Sequence, residues 1–128
     1  MTVKSLTQLD LEKIREKLDA LSEENRFVIV GMLFAAGKPI PYSHLLKICN
    51  LTSPSLSFHL KKLLNAGLIR KIEVEKRKRG KPYIYYEITE EGKEILKALG
   101  VAKAEKVLRE WFWRGYKKVQ HQLQHKTQ

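Results

Sequence analysis

The strongest constraint on this chain lies between Tyr42 and Ile88. A short helical segment, about Tyr42 to Cys49, carries Leu45, Leu46 and Ile48 on one face. A tight turn follows, Asn50-Leu51-Thr52. Ser53 then caps a second helix, with Pro54 at its first position, where a missing N–H does no harm. That helix runs to Ala66 and stops at Gly67, with Leu56, Leu60, Leu63 and Leu64 as its buried stripe. From Leu68 the apolar period changes to two. Ile72 and Val74 alternate with Lys71, Glu73 and Glu75, and Ile84, Tyr86 and Ile88 alternate with Tyr85 and Glu87. This is a two-stranded hairpin. Its turn is Lys76-Arg77-Lys78-Arg79-Gly80-Lys81-Pro82, with five cations among the six residues from Lys76 to Lys81.

Helices flank this unit on both sides. The first is expected from Thr7 to Leu21, with Thr7 as cap and Leu11, Ile14, Leu18 and Leu21 on one stripe. Ser22 is expected to cap the next, with Glu23 and Glu24 at the positive end of its dipole. Its body, Phe27 to Phe34, is apolar nearly all round, as a central buried helix should be. Gly37 ends it, and Pro39 and Pro41 forbid continuation. Beyond the hairpin Thr89 caps a further helix, with Gly92 in its first turn. A last helix runs from about Val101 to Gln124, with a soft spot at Gly115.

Composition narrows the class. The chain has 128 residues, enough for one domain with a real core. Its single cysteine, Cys49, excludes an intramolecular disulfide framework and any metal site held by several thiolates. No apolar run reaches the length of a membrane span. The N-terminus turns acidic where a signal peptide would become apolar, so a cytoplasmic location without membrane attachment is expected. The net charge is +11, and it is uneven. Residues 1–52 carry 7 basic and 6 acidic side chains, residues 53–88 carry 9 and 3, and residues 89–128 carry 9 and 5. An excess concentrated in the middle segment suggests a binding surface for a polyanion.

Helix, helix, short helix, tight turn, helix, basic hairpin is the order of a winged helix-turn-helix. The expected class is α+β, mainly α, with a two-stranded β-wing. The helix from Ser53 needs one apolar face to hold it on the core and a small polar face to enter the major groove. Around it from Leu60 at about 100° per residue, Leu56, Leu63 and Leu64 share a side and Pro54, Ser55, Phe58 and Lys62 lie opposite. His59, Lys61 and Ser57 lie on the flanks. The serine hydroxyls and N-terminal N–H groups can meet phosphate or base edges, and Lys61 and Lys62 can reach the backbone. The adjacent charges at Lys76, Arg77, Lys78, Arg79 and Lys81 repel each other, and a polyanion would relieve that repulsion. The plainer alternative is a solvated loop whose strand edge is guarded by lysines.

The stretch SPSLSFHLKKLLNAGLI, Ser53 to Ile69, resembles the recognition-helix signature of the ArsR-like winged-helix transcription regulators. GKPYIYYEITEEGKEIL, Gly80 to Leu96, resembles the end of the wing shared by ArsR-like, MarR-like and PadR-like proteins. Asn25-Arg26 resembles the ArsR-like start of the second core helix. Together these cover about residues 22–97. The resemblance implies a homodimer on a pseudo-palindromic site, acting as a repressor or, less often, an activator. It implies that Ser55, Ser57, Phe58 and His59 face the groove and that Arg77 to Lys81 hold the wing to the minor groove or its phosphates. Phe58 departs from the pattern, where His or Arg is frequent. It could contact a thymine methyl or pack elsewhere, and His59 could equally be a helix-packing residue. The metal-sensing thiolate pair of that family is absent.

The ends of the chain should build the dimer, so residues 7–21 and 101–124 are expected as dimerisation helices around a single domain spanning 1–128, with its DNA-binding core at 22–97. The interface set is Leu11, Ile14 and Leu18 with Leu108, Trp111, Phe112, Gly115 and Val119. Trp111, Phe112, Trp113 and Tyr116 cannot all pack inside one small domain. They form either a structural seam or a pocket for a small-molecule effector. His121 and His125 are four apart, but two ligands are too few for a closed metal site, and a polar frayed end accounts for them as well. Cys49 reads as a small buried hydrophobe and His44 as a helix-start residue. No cofactor is expected.

No Gly-rich phosphate loop, metal-ligand cluster or nucleophile with a nearby base occurs in the sequence, so an enzyme is not expected. Winged helices used for protein or RNA binding often lose the basic wing or the polar groove face, and this chain keeps both. The expected partner is therefore double-stranded DNA, bound sequence-specifically by a transcriptional regulator. A weakly specific architectural or chromatin protein is the alternative that the charge fits equally well.

Overall fold

The computed structural model describes residues 8–75, 83–101, 110, 113 and 114. The elements run α1 (Gln8–Leu21), α2 (Glu24–Ala36), β1 (Ile40–Pro41), α3 (Tyr42–Cys49), α4 (Ser53–Asn65), β2 (Ile69–Val74), β3 (Tyr83–Ile88) and α5 (Glu90–Ala98). The three strands form one antiparallel sheet in the order β1-β3-β2.

Helix α2 is the central element, with Ile29 through Ala35 all buried. Around it pack Leu45 of α3, Leu56, Leu60 and Leu63 of α4, Leu68, Ile88 of β3 and Leu96 of α5. Each of these leucines is essentially inaccessible to solvent. The three from α4 hold that helix to the core along one stripe, as their spacing predicts. Exposure rises outward along the hairpin. Ile69 and Ile88 pair at the core end and are buried, whereas Val74 and Tyr83 pair at the far end and are 46% and 53% exposed. The β2–β3 pair thus runs out from the core, and Arg70 and Glu87 form a cross-strand ion pair on it, Nε to Oε1 2.6 Å.

Turn chemistry fixes the joints. Gly37 closes α2 at φ 66°, and Asn50 closes α3 at φ 54°, both in the left-handed region. Thr89 accepts from the Gly92 N–H and caps α5, while its hydroxyl reaches back to the Gly67 carbonyl at 2.7 Å. Gly92 is buried, and a Cβ there would lie 2.8 Å from Ile88 Cγ1 and press on the Leu68 carbonyl oxygen. Only glycine lets α5 sit this close to the strand ends.

Two expected helix caps shift by one residue, and a third strand joins the expected two-stranded wing. The sheet has three strands, because Ile40 and Pro41 pair with Tyr86 and Tyr85. Pro41 is tolerated because β1 is an edge strand, where a missing N–H interrupts no ladder. The cap of α2 is Glu23, which accepts from Arg26 N at 2.9 Å. Ser22 instead donates its hydroxyl to the Asp19 carbonyl at 2.6 Å, closing α1. The cap of α4 is Thr52, one residue before Ser53, which becomes the first helical residue and moves Pro54 to the second. Trp113 packs partly on the chain's own core, with Lys38 Nζ 4.8 Å above its ring.

Candidate nucleic-acid interface

Helix α4 presents its outer face beside the α3 N-terminus. Phe58 is 54% exposed, and Ser53, Ser57, Lys61 and Lys62 are exposed with it, while Ser55 is half-buried. Lys62 Nζ sits 5.5 Å from the Phe58 ring centroid, which keeps a cation over an otherwise bare aromatic face. Phe58, Lys62 and Ser55 lie on the side opposite Leu56, Leu60 and Leu63, Ser57 and Lys61 lie on the flanks and Ser53 opens the first turn, so the helix is anchored on one side and open on the other.

His59 departs from the expected set. It is only 8% exposed and points inward, toward the start of α2. Its Nδ1 lies 3.3 Å from Arg26 Nη1 and 3.7 Å from Glu23 Oε2. That one ring nitrogen can accept from the Arg26 guanidinium when it carries no hydrogen, or donate to the Glu23 carboxylate when it does. Arg26 Nε in turn donates to the Ala20 carbonyl at 2.7 Å. The histidine therefore braces α4 against the α1–α2 junction, and burial keeps it from a groove. The helical wheel puts it on the flank because it tracks apolar periodicity alone.

Burial would raise the Glu23 carboxyl, but the backbone N–H groups of Arg26 and Asn25 and the His59 ring outweigh it and hold it below the usual carboxylate range. Next to this brace is a cleft of about 200 Å³ lined by Glu16, Asp19, Arg26, Lys62 and Asn65 over Ala20 and Ala66.

Sequence reasoning missed the role of Tyr42. Its hydroxyl lies 2.7 Å from Ser53 Oγ and 3.1 Å from Ser57 Oγ, and it reaches the Ser53 carbonyl at 3.3 Å. Its ring packs 6.5 Å from Tyr86 of β3 at a 50° tilt. One side chain thus joins the first turn of α4 to the sheet. No periodicity signals such a contact.

Lys76, Arg77, Lys78, Arg79 and Lys81 lie outside the described residues, as do Leu108, Trp111, Phe112, Gly115 and Val119 of the expected dimer set and both His121 and His125. On α1, Leu11, Ile14 and Leu18 are 52%, 47% and 42% exposed and form an apolar stripe. Cys49 is half-buried, and burial pushes its thiol up to about 11, away from thiolate chemistry. Among the described residues no three His, Cys, Asp or Glu side chains gather closely enough to hold a metal ion. No helix among them is long and apolar enough to cross a membrane.

Comparison with known proteins agrees with this geometry. Residues 21–72, from the end of α1 into β2, match a family described as a helix-turn-helix domain. The chain has the fold of a winged helix-turn-helix. A 58-residue stretch is 34% identical to an uncharacterized HTH-type transcriptional regulator, YceK, of Bacillus subtilis (strain 168), covering 44% of this chain. That stretch spans 58% of the relative's length. A protein with a GntR superfamily winged-helix-turn-helix domain from Halomicrobium mukohataei superposes with a TM-score of 0.66 at 20% identity, over 81% of this chain and 75% of that one. The ArsR family transcriptional regulator RHA00566 superposes with a TM-score of 0.52 at 24% identity, over 73% and 93%. In the winged helix-turn-helix frame, α3 and α4 are the helix-turn-helix and β2–β3 is the wing.

Proposed function

We propose that this chain is a double-stranded-DNA-binding transcriptional regulator that reads its site with α4 in the major groove and holds the backbone or minor groove with the wing residues Lys76 to Lys81. The observation that carries this is the division of α4. Leu56, Leu60 and Leu63 are fully buried while Phe58 and Lys62 stand open on the opposite side, with Ser57 and Lys61 exposed on the flanks. A helix held rigidly on one face and bare on the other is what groove insertion requires. Ser53 and Ser55 join this set at the helix N-terminus, where N–H groups favour phosphate. His59 is left out of it, because it is buried against Arg26. The helix-turn-helix match and the similarity to an HTH-type regulator support the same assignment.

The regulator acts as a homodimer and, by the resemblance to ArsR-like proteins, as a repressor. The exposed apolar stripe Leu11, Ile14 and Leu18 supports dimerisation through α1. A two-fold dimer needs two half-sites about 10 base pairs apart, or a multiple of that. Nothing in the mechanism calls for a catalytic step.

Selection of bound duplexes from a random pool tests the proposal. A two-fold-symmetric consensus is expected. Binding that enriches no sequence, and that collapses uniformly as salt rises, would instead indicate an architectural protein that uses the charge alone.

A further inference from the structure

We propose that Tyr42 is a specificity-determining positioning residue, which fixes whether the exposed serines of α4 offer hydrogen-bond donors or acceptors to a base edge. The inference rests on α4 being the groove-reading helix. It concerns a residue outside that helix that touches no base itself.

Three hydroxyls meet at one point, those of Tyr42, Ser53 and Ser57, at 2.7 and 3.1 Å from the tyrosine oxygen. Each has one hydrogen to give. A serine that receives the Tyr42 hydrogen keeps its own for a partner outside the cluster. A serine that donates to Tyr42 turns only lone pairs outward. The Ser53 carbonyl, 3.3 Å away, competes for the same tyrosine hydrogen. The polarity of both serines is therefore tied to one phenol. A free serine hydroxyl rotates and accepts either base-edge pattern, so it discriminates poorly, whereas a serine held by a neighbour presents one pattern.

The tyrosine is itself held. Its backbone follows directly on β1, which pairs with β3, and its ring packs on buried Tyr86. The phenol is thus referenced to the sheet, not to α4. Ser53 and Ser57 lie one turn apart on α4, so the contact fixes that turn in rotation as well as in hydrogen-bond direction. The cluster is exposed and adds little to the core, so its chief consequence falls on what the helix surface offers.

The test compares the full chain with Tyr42→Phe, Ser57→Ala and the double variant, each assayed against a random duplex pool and by thermal melting. Phenylalanine keeps the ring on Tyr86 and removes only the hydroxyl. The expected result is a Tm within about 3 °C of the parent. Preference at one or two adjacent half-site positions should fall about tenfold. Ser57→Ala should alter the same positions, and the double variant should do no more than the single ones. An unchanged base preference in Tyr42→Phe overturns the inference and leaves DNA reading by α4 standing. Affinity that falls alike for selected and random duplexes, together with a lowered Tm, also overturns it, since that is the mark of a purely structural tyrosine. A parent chain that selects no sequence removes both.

Discussion

Arg26 Nη1 lies 3.3 Å from His59 Nδ1, and this contact ties the opening turn of α2 to the middle of α4. Residues 33 apart in the chain thereby meet at the back of the helix proposed to read DNA. The front of α4 is open because its back is fixed twice, by three leucines and by this polar brace.

Removing the brace should loosen the domain without touching the surface charge. His59→Ala leaves the half-buried guanidinium without that partner and should lower stability by about 1–3 kcal/mol. The slope of log affinity against log salt should stay as in the parent, because no phosphate contact is lost. Denaturant melts and salt titrations on the same variant check both halves. A stable His59→Ala with a flattened slope would put the imidazole on DNA.

Phe58 should behave in the opposite way. It is 54% exposed, so Phe58→Ala should change the Tm little. It should narrow the ratio of specific to random-duplex affinity severalfold if the ring meets a thymine methyl. Competition binding with matched duplexes measures this.

Lys61→Ala and Lys62→Ala should each flatten the log–log salt slope by roughly 1 and weaken binding to every sequence alike. Sequence-dependent loss at either lysine would place it on a base edge.

Acid should act on the fold in two windows. Burial first, then Lys47, holds His44 below its ordinary value of 6.5. The unfolded chain therefore takes up that proton first, and stability is lost as pH falls from about 6.5 toward the folded value. Glu23 is also lowered, from 4.5, so its contribution is present above that pH and disappears as pH falls through its folded value. Thermal melts across pH should show both limbs, with His44→Gln removing the upper and Glu23→Gln the lower. A Tm independent of pH between 7 and about 5 would contradict the first.

Much of the domain is legible in its sequence for physical reasons. Leu56, Leu60 and Leu63 repeat at the helical period because one face must be buried, and that alone orients α4. Gly37 and Thr89 mark ends because a left-handed turn and a capping hydroxyl are local needs. What escapes is non-local or too short. Strand β1 has two residues and so no alternation to detect. His59 finds its partners 33 and 36 positions upstream, at Arg26 and Glu23. Thr52 and Ser53 are adjacent hydroxyls, and only backbone geometry decides which one caps.

The most direct measurement is amide chemical-shift mapping of the chain titrated with its selected duplex. The largest changes should fall on Ser53, Ser55, Ser57, Phe58, Lys61 and Lys62, with the wing segment 76–81 alongside and the exposed face of α1 silent. Changes centred on α1 and the Arg26 cleft, with the α4 front unmoved, would show that DNA meets another surface.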